Sequence, residues 1–170
     1  MVPNGVYAYV GIGSNENDPA YQCRTAVALL DSQPLTRVVQ ISSLYCTAPV
    51  GPTEQADFVN AVCEIQTPLQ PRQLFERLKA IEIRMGRRET VRWGPRIIDL
   101  DLLFYGQEIL REDDLVIPHP ECHRRRFVLT PMCEIASYVI HPAFGVSVRG
   151  LLDRLTDRSR VEILSDETGT

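Results

Sequence analysis

Residues 96–105 read RIIDLDLLFY, and this run constrains the fold more than any other stretch of the chain. Its branched and aromatic residues favour an extended strand, which Gly106 closes. Alternate side chains of a strand share a face, so Asp99 and Asp101 point one way while Ile98, Leu100 and Leu102 point the other. One face is bound for a hydrophobic core, and the opposite face carries two carboxylates with Cα atoms about 6.5 Å apart. Carboxylates that close and partly buried cannot both ionise without compensation, so one takes a proton or a cation lies between them. The alternative is that each pairs with an arginine and anchors the sheet, at a high cost in desolvation. Oxygen donors with no histidine or cysteine beside them suit Mg²⁺ better than zinc, and Mg²⁺ commonly arrives with substrate phosphates. A carboxylate pair beside arginines therefore points to phosphoryl transfer.

The flanks of the strand are basic. Arginine makes up all of the chain's basic residues except Lys79, and residues 84–96 hold Arg84, Arg87, Arg88, Arg92 and Arg96 against Glu89 alone. A second cluster, Arg124, Arg125 and Arg126, follows. Most charge runs are solvated faces, yet an arginine fork beside carboxylates equally suits phosphate oxygens. The net charge of −4 recommends neither a nucleic acid nor an anionic membrane as partner. No apolar run approaches the ~18 residues of a bilayer span, and the N-terminus MVPNGVYAYVGIG has no basic leader. Cys23, Cys46, Cys63, Cys122 and Cys133 are scattered without CxxC spacing and are expected to be reduced thiols. The expectation is a cytoplasmic, monomeric protein with one domain over residues 1–170 and a polar tail from about 157 to 170.

Hydrophobic period orders the elements. A strand over 5–13 leads to a helix from Pro19, with Ala26, Val27, Leu29 and Leu30 on its apolar side. Residues 36–46 read as one β-branched strand, 47–57 as a Pro/Gly loop, and 58–65 as another strand. Leu74, Phe75, Leu78, Ile81, Ile83 and Met85 mark a helix from Pro71 to Met85 that stops at Gly86. Together with 96–105, the order is strand, helix, strand, strand, helix, strand. This predicts an α+β fold: a ferredoxin-like double βαβ antiparallel sheet with helices packed on one face. The last third is expected as a C-terminal elaboration, with a short strand near 107–110 and helices around 127–137 and 148–156.

Several motifs are excluded. GIGSN carries Glu16 where a dinucleotide fingerprint needs its third glycine, so it reads as a tight turn and a side wall. No Walker A sequence is present, and Lys79 stands in a helix. His119, Cys122 and His123 lack the spacing and the fourth ligand of a zinc finger.

The run RWGPRIIDLDLLFYG resembles the signature of the 6-hydroxymethyl-7,8-dihydropterin pyrophosphokinase family. IGSN at 12–15, YCTAPVGP at 45–52, DFVNA at 57–61, IEIRMGR at 81–87 and IPHPECHRRRFVL at 117–129 resemble family segments in family order, over residues 7–142. The resemblance implies an enzyme of folate biosynthesis that moves the diphosphate of ATP, its co-substrate, to a pterin alcohol and releases AMP. It implies two Mg²⁺ ions held by Asp99 and Asp101, with Arg87 and Arg96 completing the catalytic group at the phosphates. His119 and Arg125 would meet the triphosphate from the C-terminal side, and Glu82 and Leu102 would lie at the nucleotide. On the pterin side, Phe58 and Phe127 would stack on the ring, Thr47 and Asn60 would hydrogen-bond it, Val50 would line it, and Trp93 would close over it on a mobile loop. The implied partners are small molecules, with other folate enzymes as candidate associates.

The chain departs from the family in three places. The loop between Gly86 and Trp93 is about one residue shorter, Asp114 and Val116 replace a frequent Arg and Thr, and Phe58 replaces an occasional tyrosine. Two other classes share part of the pattern. A nucleotidyl transferase with a palm-like sheet also places DxD on a strand, and a regulatory ligand-binding module of this topology would need neither the metal pair nor the arginines.

Overall fold

The computed structural model describes residues 5–51, 54–87 and 94–165. Its elements are β1 (Val6–Ser14), α1 (Pro19–Asp31), β2 (Arg37–Ile41), β3 (Tyr45–Thr47), β4 (Phe58–Thr67), α2 (Pro71–Arg84), β5 (Asp99–Tyr105), β6 (Leu110–Arg111), β7 (Val116–Ile117), α3 (Arg126–Ala136), α4 (Val148–Asp153) and β8 (Val161–Ile163). The main sheet runs β5-β1-β4-β3-β8, with β2 also on β4, and every pairing in it is antiparallel. This is the expected double βαβ order, with β1 and β4 at its centre.

The stretch 36–46 is two strands rather than one. At the break, Ser42 N donates to Val62 O (2.9 Å) and Ser42 Oγ accepts from Val62 N (3.0 Å). A hydroxyl thus stands in for a ladder carbonyl, which lets the chain bend while both pieces stay on the edge of β4.

Alternation divides the sheet into two faces. Ala8, Val10, Ile12, Val59, Cys63, Ile65, Leu100 and Leu102 face one core, closed by Cys23, Ala26 and Leu30 of α1 and Leu74, Leu78 and Ile81 of α2. Helices do not stop at that face. Tyr9, Val62, Leu103 and Phe104 face the other way into a second core, covered by Leu129, Met132 and Ala136 of α3 and by Val148 and Leu151 of α4. The expectation of helices on a single face is corrected here, because side chains this apolar on the second face require a cover of their own. A register shift aids it: Val10 pairs with Leu102 but Tyr9 with Phe104, so Leu103 is an extra residue and both Leu103 and Phe104 enter the second core.

The helix ends follow local chemistry. Pro19 opens α1 and Asp18 accepts a hydrogen bond from Tyr21 N. At the end of α2, Gly86 adopts φ +94°, with Gly86 N donating to Ile83 O and Arg87 N to Glu82 O (both 3.0 Å). This left-handed cap delivers Arg87 back toward the sheet. Ile83, expected on the apolar side of α2, is exposed instead. Within the expected polar tail, Val161–Ile163 extends the open edge of β3, and Leu164 N donates to Leu44 O (2.8 Å). All five cysteines are free. Among the described residues, no helix is long and apolar enough to cross a membrane.

Leu78 is fully buried whereas Ile83 is 73% exposed. Leu78→Ala is therefore expected to cost about 2 to 5 kcal/mol in urea denaturation, and Ile83→Ala about 0.5 kcal/mol or less.

Candidate active site

The second face of the sheet is only half covered. Beyond the reach of α3, Gly11, Gly13, Asn60, Asp99 and Asp101 floor a pocket of about 300 Å³. Such a volume lies at the lower bound of ligand pockets. Thr47 joins the floor beside Asn60, and the rim includes Val50, Gln55 and Phe58 on one side, Gly94 and Arg96 on another, and Arg125 and Phe127 on a third.

The floor is tightly fitted. A Cβ at Gly13 would stand 2.6 Å from Asn60 Oδ1, so only glycine lets the Asn60 amide lie against β1. Asn60 Nδ2 donates to Thr47 Oγ1 at 2.7 Å. Both side chains are buried, which places a rigid polar pair at the base of a largely apolar recess.

The acidic end is built by α2 and β5. Asp99 Oδ1 lies 3.0 Å from Arg87 Nη2 and 3.8 Å from Arg96 Nε. The other arm of Arg87 reaches Glu82 Oε1 at 2.9 Å, and Glu82 Oε2 accepts from Leu100 N at 2.7 Å. Burial, reinforced by Asp101, pushes the Asp99 carboxyl up to about 6 despite the pull of Arg87. Burial likewise holds Asp101 above the usual carboxylate range, against the pull of Lys79. Among the described residues, no side chain or backbone group bonds the Asp101 carboxylate.

No group of three or more His, Cys, Asp or Glu side chains forms a closed metal site among the described residues. Two half-compensated carboxylates form an open donor set instead. They fit a hard divalent cation that takes its remaining oxygens from substrate and water, the habit of Mg²⁺.

Nine of the residues singled out from sequence meet at this pocket: Thr47, Val50, Phe58, Asn60, Arg96, Asp99, Asp101, Arg125 and Phe127. Arg87 stands behind them, paired to Asp99. Others differ from expectation. Leu102 is buried in the core shared with α1 and α2, because its place in the alternation is opposite that of Asp101, so its side chain does not reach the site. Glu82 is 2% exposed and spends its carboxylate on Leu100 N, Arg87 and Lys79, which makes it a strut under the site rather than part of its wall. His119 is off the wall too. Its N–H donates to Leu103 O (2.9 Å) and its Nδ1 accepts from Glu121 N (3.1 Å), which leaves Nε2 to carry the proton. Burial, with Arg125 nearby, lowers its pKa to about 4, so the ring is neutral at physiological pH. Trp93, Arg88 and Arg92 lie outside the described residues.

Three contributors were missed. Asn15 N donates to Arg96 O (2.9 Å), Asn15 Oδ1 accepts from Arg96 N (2.8 Å), and its amide donates to Gln55 Oε1 (2.7 Å) and Ala56 O (3.1 Å). One buried side chain thereby knots the turn after β1 to both rims. Its signal lies in IGSN itself, where an asparagine directly follows the strand. Gln55 sits on the rim and Lys79 beside Glu82, and neither carries a local pattern that marks it.

Residues 9–137 match the family model described as 7,8-dihydro-6-hydroxymethylpterin-pyrophosphokinase (HPPK). A Haemophilus influenzae protein named 2-amino-4-hydroxy-6-hydroxymethyldihydropteridine pyrophosphokinase is 39% identical over 158 residues, 93% of this chain and 98% of that one. The Methylorubrum extorquens protein of the same name is 42% identical over 155 residues, 91% of this chain and 96% of its own length. Among solved structures, Plasmodium falciparum HPPK-DHPS with pterin and p-hydroxybenzoate superposes with a TM-score of 0.69 at 16% identity, covering 88% of this chain and 43% of that one. At that identity the likeness is one of fold, and the chain spans less than half of the Plasmodium polypeptide. Family match, full-length relatives and fold agree: this chain belongs to the 7,8-dihydro-6-hydroxymethylpterin-pyrophosphokinase family.

Proposed function

We propose that the protein transfers the diphosphate of ATP to the hydroxymethyl group of 6-hydroxymethyl-7,8-dihydropterin, releasing AMP, as a step of folate biosynthesis. The observation that carries this is the incompletely compensated Asp99–Asp101 pair at one end of a pocket whose other end is aromatic and polar. In the transfer, the hydroxymethyl oxygen bonds to the β-phosphorus. The bond from that phosphorus to the oxygen it shares with the α-phosphate breaks, and the hydroxyl proton passes to solvent.

The assigned roles divide between the two ends of the pocket. Phe58 and Phe127 flank the recess and take the flat bicyclic ring between them. Thr47 and Asn60 read its polar edge from the floor, and Val50 covers it from the rim. Asp99 and Asp101 hold two Mg²⁺ ions, which when bound supply neutralisation of polyphosphate charge and acidification of the attacking hydroxyl. Arg87 and Arg96 present planar forks to the phosphate oxygens. Arg125 and neutral His119, through Nε2–H, approach the triphosphate from the C-terminal side. Glu82 acts indirectly, by setting Arg87 and the start of β5. By its match to the family signature alone, Trp93 is assigned to the exclusion of water that competes for the transferred group. Five free cysteines suit a reducing compartment, and we place the enzyme in the cytoplasm as a monomer acting on small molecules.

Incubation with ATP, Mg²⁺ and the pterin is expected to yield AMP and diphosphorylated pterin in equal amounts; ADP as product, or ATP turnover independent of pterin, would contradict the assignment. For the metal seat, Asp101→Asn is expected to reduce kcat by about 10²-fold or more. Asp99→Asn should do the same while raising stability at neutral pH. The folded Asp99 titrates near 6, above its unfolded value of about 4, so the native state holds more protons between those values and loses stability as pH rises through them. Removing that charge should add about 1 to 3 kcal/mol at pH 7.5 and almost nothing at pH 4. Thermal melts at the two pH values check it; a variant less stable at pH 7.5 than at pH 4, relative to the parent, would refute the compensation argument.

A further inference from the structure

The segment after α4 touches both walls of the pocket, although it contributes no lining residue. At one wall, Arg125 is the N-cap of α3 and offers no side-chain acceptor to the first turn. That acceptor comes from elsewhere: Asp157 Oδ2 takes the hydrogen bond of Arg126 N at 3.1 Å, while its Oδ1 takes that of Ser159 N at 2.8 Å. The guanidinium of Arg126 returns the contact by donating to Ser159 O at 2.5 Å. A carboxylate at a helix N-terminus also meets the positive end of the helix dipole. Phe127 and Arg125 stand on this same first turn.

At the other wall, β8 pairs with β3 in a register that sets Val161 opposite Thr47, and Ala48 N donates to Arg160 O at 3.2 Å. Arg160 forms an ion pair with Asp57, the residue immediately before Phe58. Asp57 Oδ2 also accepts from Cys46 Sγ at 3.7 Å, which ties it back to β3. Thr47, Ala48 and Phe58, all lining the pocket, are thus held from behind by one short strand and one charge pair.

We propose that residues 157–163 form a strap that sets the gap between Phe58 and Phe127, with Asp157 and Arg160 as positioning residues for the pterin. The inference rests on the assignment of those two rings as the pterin plates. Seven consecutive residues join walls that come from different layers of the fold, α3 on one side and the β3–β4 edge on the other. Among the described contacts none of them bonds Arg87, Arg96, Asp99 or Asp101, so the strap acts first on ring binding, and its one route to the phosphate end is Arg125, on the turn that Asp157 caps. Arg160 acts on the Phe58 wall only, which makes it the cleaner probe; Asp157 also supports Arg125 and so reaches further.

The test compares the full chain with Arg160→Gln, Asp57→Asn and the double variant, using 6-hydroxymethylpterin fluorescence titration for ring binding and steady-state kinetics for ATP. The expected result is a pterin Kd raised about 2- to 5-fold in each single variant, the scale of a partly exposed ion pair. KM for ATP should stay within about twofold, the double variant should be no worse than either single one, and Arg160→Lys should recover most of the loss. Wild-type pterin affinity in Arg160→Gln, or equal weakening of pterin and ATP together with a fall in melting temperature, would overturn the strap. A wild-type protein that binds ATP but no pterin would overturn the substrate assignment itself, and this inference with it.

Discussion

Two carboxylates on one strand face cannot be covered by apolar side chains without a partner, and the layout of the second layer follows that cost. On β5 the alternation that sends Leu100 and Leu102 into one core aims Asp99 and Asp101 at the opposite face. There α3 and α4 cover Tyr9, Val62, Leu103 and Phe104, and their cover ends before the aspartates. The register shift at Leu103 marks the boundary, since it gives the covered half two adjacent apolar side chains and leaves the bare half its acids. A pocket exists because half of a sheet face is too polar to bury.

What surrounds the acids is arranged to hold charge without quenching it. Glu82 is the least exposed part of the assembly, and its carboxylate joins the backbone of β5 to Arg87. Arg87 then shares itself between Glu82 and Asp99 and compensates the latter only in part. Asn15 performs the neutral counterpart on the far side, where it locks Arg96 and the Gln55–Ala56 segment to the turn after β1. These contacts fix the backbone that carries the arginines while leaving the Asp101 carboxylate without a bonded partner among the described residues.

Much of this was legible in the sequence, for reasons that differ by element. The strand at β5 and the shared face of Asp99 and Asp101 follow from period-two alternation alone, and Gly86 ends α2 in the conformation that only its lack of a Cβ makes easy. Thr47, Asn60, Phe58 and Phe127 were identified through the ordered resemblance, because single aromatic or polar residues carry no periodic signal of their own. What the sequence does not show is equally physical. The resemblance implies Leu102 at the nucleotide, and its position in the alternation sends its side chain into the core. The resemblance implies Glu82 near the nucleotide, and its burial and its bond to Leu100 N depend on a tertiary approach that helix periodicity does not encode. The break at Ser42 and the strand at 161–163 both depend on hydrogen bonds to distant partners, Val62 and β3. A polar composition at the C-terminus says nothing of an open strand edge waiting elsewhere in the fold.

The most direct measurement of the central claim is the number of divalent ions the acids hold. Mn²⁺ titrated into the protein with α,β-methylene-ATP, followed by electron paramagnetic resonance, reads that number without turnover. Two bound ions per chain are expected in the wild type, with the tight sites lost when Asp99 and Asp101 are both replaced by Asn. Unchanged Mn²⁺ stoichiometry and affinity in that double variant would contradict the assignment of this strand face as the metal seat.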